Sequence, residues 1–297
     1  MGSLNFGLLP PGYAKKIHMA ETAPFLSENN TVRRTPKHTR RPLLNSTIRK
    51  LSILIPVYNE ASTISILLDK ICDVILIGSI EKEIIVVNDC SRDDTELMIL
   101  EYITENPDAP IKYICQECNQ GKGAAIHAAI HYATGDYILI QDADLEYDPK
   151  EYNILLEPIL TGHADIVYGS RFMGGHPHRI LFFWHTLGNK MLTFISNLFT
   201  NLNLTDAHTC YKLISANTLR AIPLREKRFA FDAELNVKLS RIRGARIYEV
   251  GISYYGRTFA EGKKIRLRDA LRSVFCLVKY SFSDRKSVKT LVPIHHT

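Results

Sequence analysis

At 297 residues the chain can bury one large core with extensions, and 45% apolar against 23% charged residues excludes wholesale disorder. A surplus of six cations over anions suits an anionic substrate or an anionic membrane surface, but it does not by itself indicate nucleic acid. The six cysteines are too dispersed to act as disulfide staples. Gly7 to Pro11 is too short an apolar run for a secretory leader, so a reducing cytosolic setting is expected. Cys115 and Cys118 form one C-x-x-C without the second pair that zinc needs, and the spacing reads as incidental.

In chain order, residues 1–48 read as a basic, disordered tail. Pro10, Pro11, Pro24, Pro36 and Pro42 interrupt any periodicity, and no acid lies between Glu28 and Glu60. Such a tail is either a solvated linker or an electrostatic contact with anionic lipid. Order is expected from Leu51. An apolar strand over 52–57 precedes Tyr58-Asn59-Glu60, and a helix over 62–71 carries Ile64, Leu67, Leu68 and Ile71 on one face. A β-branched strand over 83–87 ends at Asn88-Asp89. A helix over 94–102, a strand over 111–115, an Ala-rich helix over 121–133 and a strand over 137–141 follow. This alternation predicts an α/β fold with a mostly parallel sheet, whose ligands sit beyond the carboxyl ends of the strands. Tyr58, Asp89 and Asp142 fall at those ends.

Asp142, Asp144 and Glu146 alternate directly after an apolar strand. In extended backbone alternate side chains share a face, so Asp142 and Asp144 can converge on one hard cation. Glu146 is expected to join them once the chain turns. Oxygen-only ligands suit Mg2+ or Mn2+. A lone D-x-D is common in solvated loops, so the pair depends on its context.

That context is an ordered series: Pro56-Val57-Tyr58-Asn59-Glu60, Val87-Asn88-Asp89-Cys90-Ser91, Asn119-Gln120-Gly121-Lys122-Gly123 and Asp142-Ala143-Asp144. It resembles the nucleotide-sugar half of family 2 glycosyltransferases, and is most similar to the polyprenyl-phosphate (dolichyl-phosphate) mannose and glucose synthases. The resemblance runs from about Leu51 to about Phe282. It implies the nucleotide-diphospho-sugar transferase (GT-A) fold over 49–255, a Rossmann-like sheet flanked by helices. A basic loop, an amphipathic helix and a tail would follow over 256–297. It implies that Pro56, Tyr58, Glu60 and Asp89 hold the nucleoside, with Lys122 and Asp142 beside the donor. Ser91 reads as structural.

By the same resemblance, Tyr168-Gly169-Ser170-Arg171 places Arg171 near the reaction centre. Asp206 and Lys212 follow the acceptor helices, Glu234 fits the family position better than Asp232, and Arg257 and Lys263 close on phosphate groups. The implied reaction inverts the anomeric carbon by direct displacement, with a divalent cation relieving the leaving diphosphate. A hydroxyl acceptor would need a base, Asp232 or Glu234. A lipid phosphate needs cationic positioning instead, which the set Arg171, Lys212, Arg257 and Lys263 favours.

The stretch from Ile180 to Leu204 is apolar and aromatic, with Lys190 as its only formal charge; Gly188, Asn189 and Asn197 suggest an interrupted helix pair lying at a membrane interface rather than a span. Residues 270–282 form a second amphipathic stretch. The leading expectation is hexosyl transfer from a GDP-mannose-class or UDP-glucose-class donor to a polyprenyl phosphate, with peripheral membrane contact. The rivals are a hydroxyl acceptor and an inactive nucleotide-binding scaffold.

Overall fold

The computed structural model describes residues 48–174, 179–180, 183–257 and 267–283. The basic tail up to residue 47 and Lys263 lie outside the described residues.

Strands β1 (Lys50–Val57) and β2 (Glu81–Asn88) are buried at nearly every position. That is the pattern of strands covered on both faces. β1 pairs in parallel with β2 and with β4 (Tyr137–Ile140), and β2 pairs in parallel with β3 (Ile111–Cys115). Helix α1 (Ile64–Asp73) buries Ile64, Leu67, Leu68 and Ile71, the stripe its periodicity predicts. Helices α2 (Thr95–Glu105) and α3 (Lys122–Tyr132) complete the first half, and α3 packs against β1 and β2.

The second half contains α4 (Tyr152–Leu160), β5 (Ile166–Ser170), α5 (Phe183–Thr200), β6 (Lys212–Ser215), α6 (Ala216–Ala221), α7 (Phe231–Leu239), β7 (Ile247–Gly251) and α8 (Leu267–Ser283). The seven strands form one sheet in the order β3-β2-β1-β4-β6-β5-β7. β6 runs antiparallel to β4 and β5, whereas β5 and β7 are parallel, so the sheet is mixed but mostly parallel. The chain steps from β1 outward to β2 and β3 on one side and then returns to place β4 on the other side of β1, so the strand order reverses there. A crevice opens at such a switch point, beyond the carboxyl ends of the strands.

The apolar stretch after Ile180 departs from expectation. It forms one continuous 18-residue helix, α5, instead of an interrupted pair. A Cβ added at Gly188 would meet no neighbouring atom, so its cost is only the weak helix propensity of glycine, about 1 kcal/mol, and it does not break the helix. α8 packs against α5 and α7. Ala230, Ala233, Val237, Cys276, Leu277 and Tyr280 form a small second core there, joined by Ile195 and Phe199.

Candidate active site

Pro56, Tyr58, Glu60, Asp89, Lys122, Asp142, Asp144, Glu146, Arg171 and Arg257 all line one cavity of about 360 Å³ at this crevice. Two left-handed residues turn the chain sharply after β1 and β2: Asn59 (φ 50°) and Cys90 (φ 56°). Each loop then holds the other. The Asn59 amide donates to Ser91 Oγ at 3.0 Å, and the Arg92 amide donates to Asn59 Oδ1 at 2.8 Å. Ser91 is structural, as its position suggested. Thr63 Oγ1 donates to the Ala143 carbonyl at 2.8 Å, tying the first loop to the D-x-D segment.

Asp89 is not the cap of α2, a place taken by Asp94. Its carboxylate accepts from the Gln120 and Gly121 amides at 2.7 and 2.8 Å, and so anchors the Gly121-Lys122-Gly123 turn. Burial raises its pKa, and the two amides offset part of that effect. Both glycines in the turn are sterically required. A Cβ on Gly121 would stand 2.8 Å from the Lys227 carbonyl oxygen, and one on Gly123 would stand 2.4 Å from that of Glu226. The segment before α7 is thereby laid directly over the start of α3.

Lys122 points into the cavity and pairs with Asp142 at 2.6 Å. Arg257 bridges Glu60, through Nη1 and Nη2 at 3.1 Å each, and Asp144, through Nη2 at 3.0 Å. Burial, then Asp142 and Glu146, push Asp144 up to about 7 despite Arg257. Glu146 behaves differently. Leu145 takes a left-handed φ of 59°, and the next carboxylate accepts from the Tyr254 hydroxyl at 2.6 Å and the Arg257 amide at 2.7 Å. Among the described residues no three acidic, His or Cys side chains are arranged to hold a metal. Glu146 nevertheless lines the same cavity as Asp142 and Asp144, and its carboxylate fastens the segment after β7 to the D-x-D loop.

A correction concerns Glu234. It has no exposed surface, and its carboxylate accepts from the Arg225 and Glu226 amides and pairs with Lys238 at 2.7 Å. Asp232, one helical step away, lines the cavity instead. Lys212 is wholly buried and pairs with Asp232 at 2.9 Å, so it is not presented to a ligand directly. Arg171 makes a two-point contact with the buried Asp206, Nε to Oδ2 at 2.6 Å and Nη2 to Oδ1 at 2.8 Å, and lies 5.0 Å over the Tyr254 ring. Burial disfavours its charge, but Asp206 outweighs burial and raises its pKa.

Arg171, Asn189 and Tyr254 also line a second cavity of about 330 Å³, which Arg179 and Lys190 make basic. Tyr254 and Asn189 were not singled out from the sequence. Asn189 had a signal, as a polar side chain inside an apolar helix. Tyr254 had none beyond lying three residues before Arg257. Cys115 and Cys118 are exposed free thiols.

Comparison with known proteins identifies the family. Residues 52–222 match glycosyl transferase family 2. An undecaprenyl-phosphate mannosyltransferase of Micrococcus luteus is 30% identical over 220 residues, 71% of this chain and 85% of its own. A dolichyl-phosphate β-glucosyltransferase of Trichomonas vaginalis is 27% identical over 247 residues, 79% of this chain and 74% of its own. The chain belongs to glycosyl transferase family 2. Its fold is shared with solved structures: glucosyl-3-phosphoglycerate synthase of Mycobacterium tuberculosis, crystallised with Mn2+, uridine diphosphate and phosphoglyceric acid, superposes with a TM-score of 0.60 at 19% identity, covering 79% of each chain.

For a family 2 glycosyltransferase, the donor chemistry of the D-x-D segment can be tested against a divalent cation. Asp142 and Asp144 offer carboxylate oxygens only, on one loop, with mutual repulsion already expressed in the raised pKa of Asp144. Two carboxylates completed by diphosphate oxygens are a common arrangement for Mg2+. The pair fits such an ion, and Glu146 lines the cavity beside it.

Proposed function

We propose that this glycosyltransferase moves a hexosyl group from a nucleotide sugar to the phosphate of a polyprenyl phosphate. The observation that carries the reading is the second, basic cavity. It shares Arg171, Asn189 and Tyr254 with the donor crevice, and it opens beside an apolar helix face. In α5, Trp184, Phe194 and Leu198 are 77%, 68% and 70% exposed, while Thr193, Ser196 and Thr200 are buried. α8 likewise exposes Leu271, Phe275 and Phe282, while its other face carries Cys276, Leu277 and Tyr280 into the second core. Two neighbouring helices that keep aromatic and aliphatic side chains on an outward face are built to meet an apolar phase. No described helix is long and apolar enough to cross a membrane, and the contact this reading proposes is a peripheral one. The names of the M. luteus and T. vaginalis relatives agree with a polyprenyl-phosphate acceptor.

In this reading Pro56, Tyr58, Glu60 and Asp89 form the nucleoside end of the crevice. Asp142 and Asp144 would hold Mg2+ or Mn2+, which when bound supplies Lewis-acid relief of the diphosphate charge. An acceptor phosphate oxygen attacks the anomeric carbon as the bond to the diphosphate breaks and its electron pair leaves with the diphosphate. Arg171, fixed by Asp206 and Tyr254, lies between the two cavities and positions the attacking phosphate. Arg179 and Lys190 extend that cationic wall.

A phosphate acceptor is already ionised and needs no base. That suits Asp232, because Lys212 and Lys122 outweigh its burial and hold it below the usual carboxylate range, which makes it a weak base. The reading is tested by incubating the protein with labelled nucleotide sugars, Mn2+ and a short polyprenyl phosphate, then extracting lipid. Label is expected in the organic phase, and it should be lost in Asp144→Asn. Label confined to water-soluble glycosides would overturn the phosphate acceptor in favour of a hydroxyl one.

A further inference from the structure

Both carboxylates suited to a divalent cation are already held by cations of the protein. Lys122 Nζ lies 2.6 Å from Asp142 Oδ1, and Arg257 Nη2 lies 3.0 Å from Asp144 Oδ2. The two partners come from opposite ends of the fold. Lys122 opens α3, whose N-terminus itself attracts anions. Arg257 follows β7, held by its own amide to Glu146 and by its guanidinium to Glu60. All of these side chains line the same cavity.

We infer that Lys122 and Arg257 are resident counter-ions of the D-x-D pair, and that a divalent cation and a nucleoside diphosphate bind cooperatively because both side chains change partners when the two arrive together. The inference rests on the glycosyltransferase reading above and deepens it. A divalent ion alone must compete with two side chains whose positive charge would then be stranded beside it. A diphosphate arriving with the ion gives Lys122 and Arg257 new oxygen partners at the moment they lose the carboxylates. Each ligand therefore removes the other's penalty, which is a reciprocal coupling. The device also keeps Asp142 and Asp144 from facing each other uncompensated in the free protein.

The experiment is a direct measurement of Mn2+ binding by electron paramagnetic resonance of free Mn2+, with no sugar donor present. Wild-type protein, Lys122→Gln and Arg257→Gln are titrated with Mn2+ alone and again with UDP or GDP. The wild type is expected to bind Mn2+ alone weakly and to gain on the order of tenfold or more with nucleotide. Each variant should bind Mn2+ alone tighter than the wild type and show a smaller gain with nucleotide. Thermal melts identify the folded variants, and either folded variant suffices as a test. The inference is overturned if a folded variant binds Mn2+ alone no tighter than wild type, or keeps the full nucleotide gain. Asp142→Asn with Asp144→Asn separates this from failure of the metal site: if Mn2+ binding survives that double change, the D-x-D reading fails as well.

Discussion

Arg171 owes its position to Asp206, which has no exposed surface of its own and accepts two nearly parallel N–H groups. The Glu249 carboxylate in turn accepts from the Thr205 and Asp206 amides, so the acid cannot swing away from the guanidinium. Removing one member of such a pair leaves a charge buried without its partner, a loss of about 3–5 kcal/mol. Asp206→Asn and Arg171→Met should each fall in that range by urea unfolding. The double variant should lose much less than the sum, because neither charge is then stranded. Near-additive losses would show that the two side chains act independently. Activity gives a second reading: Arg171→Met should raise the KM for the lipid acceptor and leave nucleotide affinity nearly unchanged.

At the scale of elements, α8 depends on a single acid from outside it. Glu226 accepts from Arg272 at 3.0 Å, Lys279 at 3.1 Å and the Tyr280 hydroxyl at 2.9 Å, spanning two turns of the helix. The same residue lays its carbonyl against Gly123 and donates its amide to Glu234. It thus links α8, α7 and the start of α3 around the cavity, which Asp269 and Ser273 of α8 also line. Burial works against its ionisation, but Arg272, Tyr280 and Lys279 prevail and hold it at about 2, below the ordinary 4.5. A lowered folded-state pKa means that the contribution is complete above 4.5 and fades as the pH falls towards 2. Hydrogen exchange of α8, corrected for intrinsic rate, should show protection at pH 6 that weakens at pH 3. Glu226→Gln should remove on the order of 1–2 kcal/mol of local protection at pH 6 and flatten the pH dependence. Arg272 and Lys279 are half exposed and contribute little, so most of the effect is the Tyr280 bond to a charged acceptor. An unchanged pH profile in the variant would refute this account. Glu226 illustrates what the sequence conceals. The strands β1 to β4 and helices α1 to α3 follow from local periodicity, Asp89 and Asp142 from their places at strand ends, and Lys122 and Asp144 from the motif series they belong to. Glu226 lies in a segment with no period, and its partners are 46 to 54 residues away. Glu234 fails for a related reason: spacing places a carboxylate in a neighbourhood but does not reveal which N–H groups and cations will claim it.

On the whole-molecule scale, the sheet, the crevice and helices α5 and α8 fall into a definite order, with the donor cavity joined through Arg171 to a basic cavity, and that to the exposed apolar faces of α5 and α8. A long-chain acceptor whose phosphate is polar and whose tail is apolar would meet these features in the same sequence. The chain carries one tryptophan, Trp184, and it stands 77% exposed on the apolar face of α5. Its fluorescence therefore reports on that face alone. Adding vesicles of phosphatidylcholine with about a third phosphatidylserine should shift the emission to the blue, and brominated acyl chains should quench it. The net charge of +6 and the exposed Arg179, Lys190 and Arg268 predict that the shift weakens as salt is raised, while the apolar contribution persists. Phe194→Glu with Leu198→Glu should abolish the shift at low salt without lowering the melting temperature, because both side chains already face outward. If emission stays red with anionic vesicles while the protein still glycosylates a short water-soluble polyprenyl phosphate, the apolar face serves another partner and the acceptor must reach Arg171 from solution.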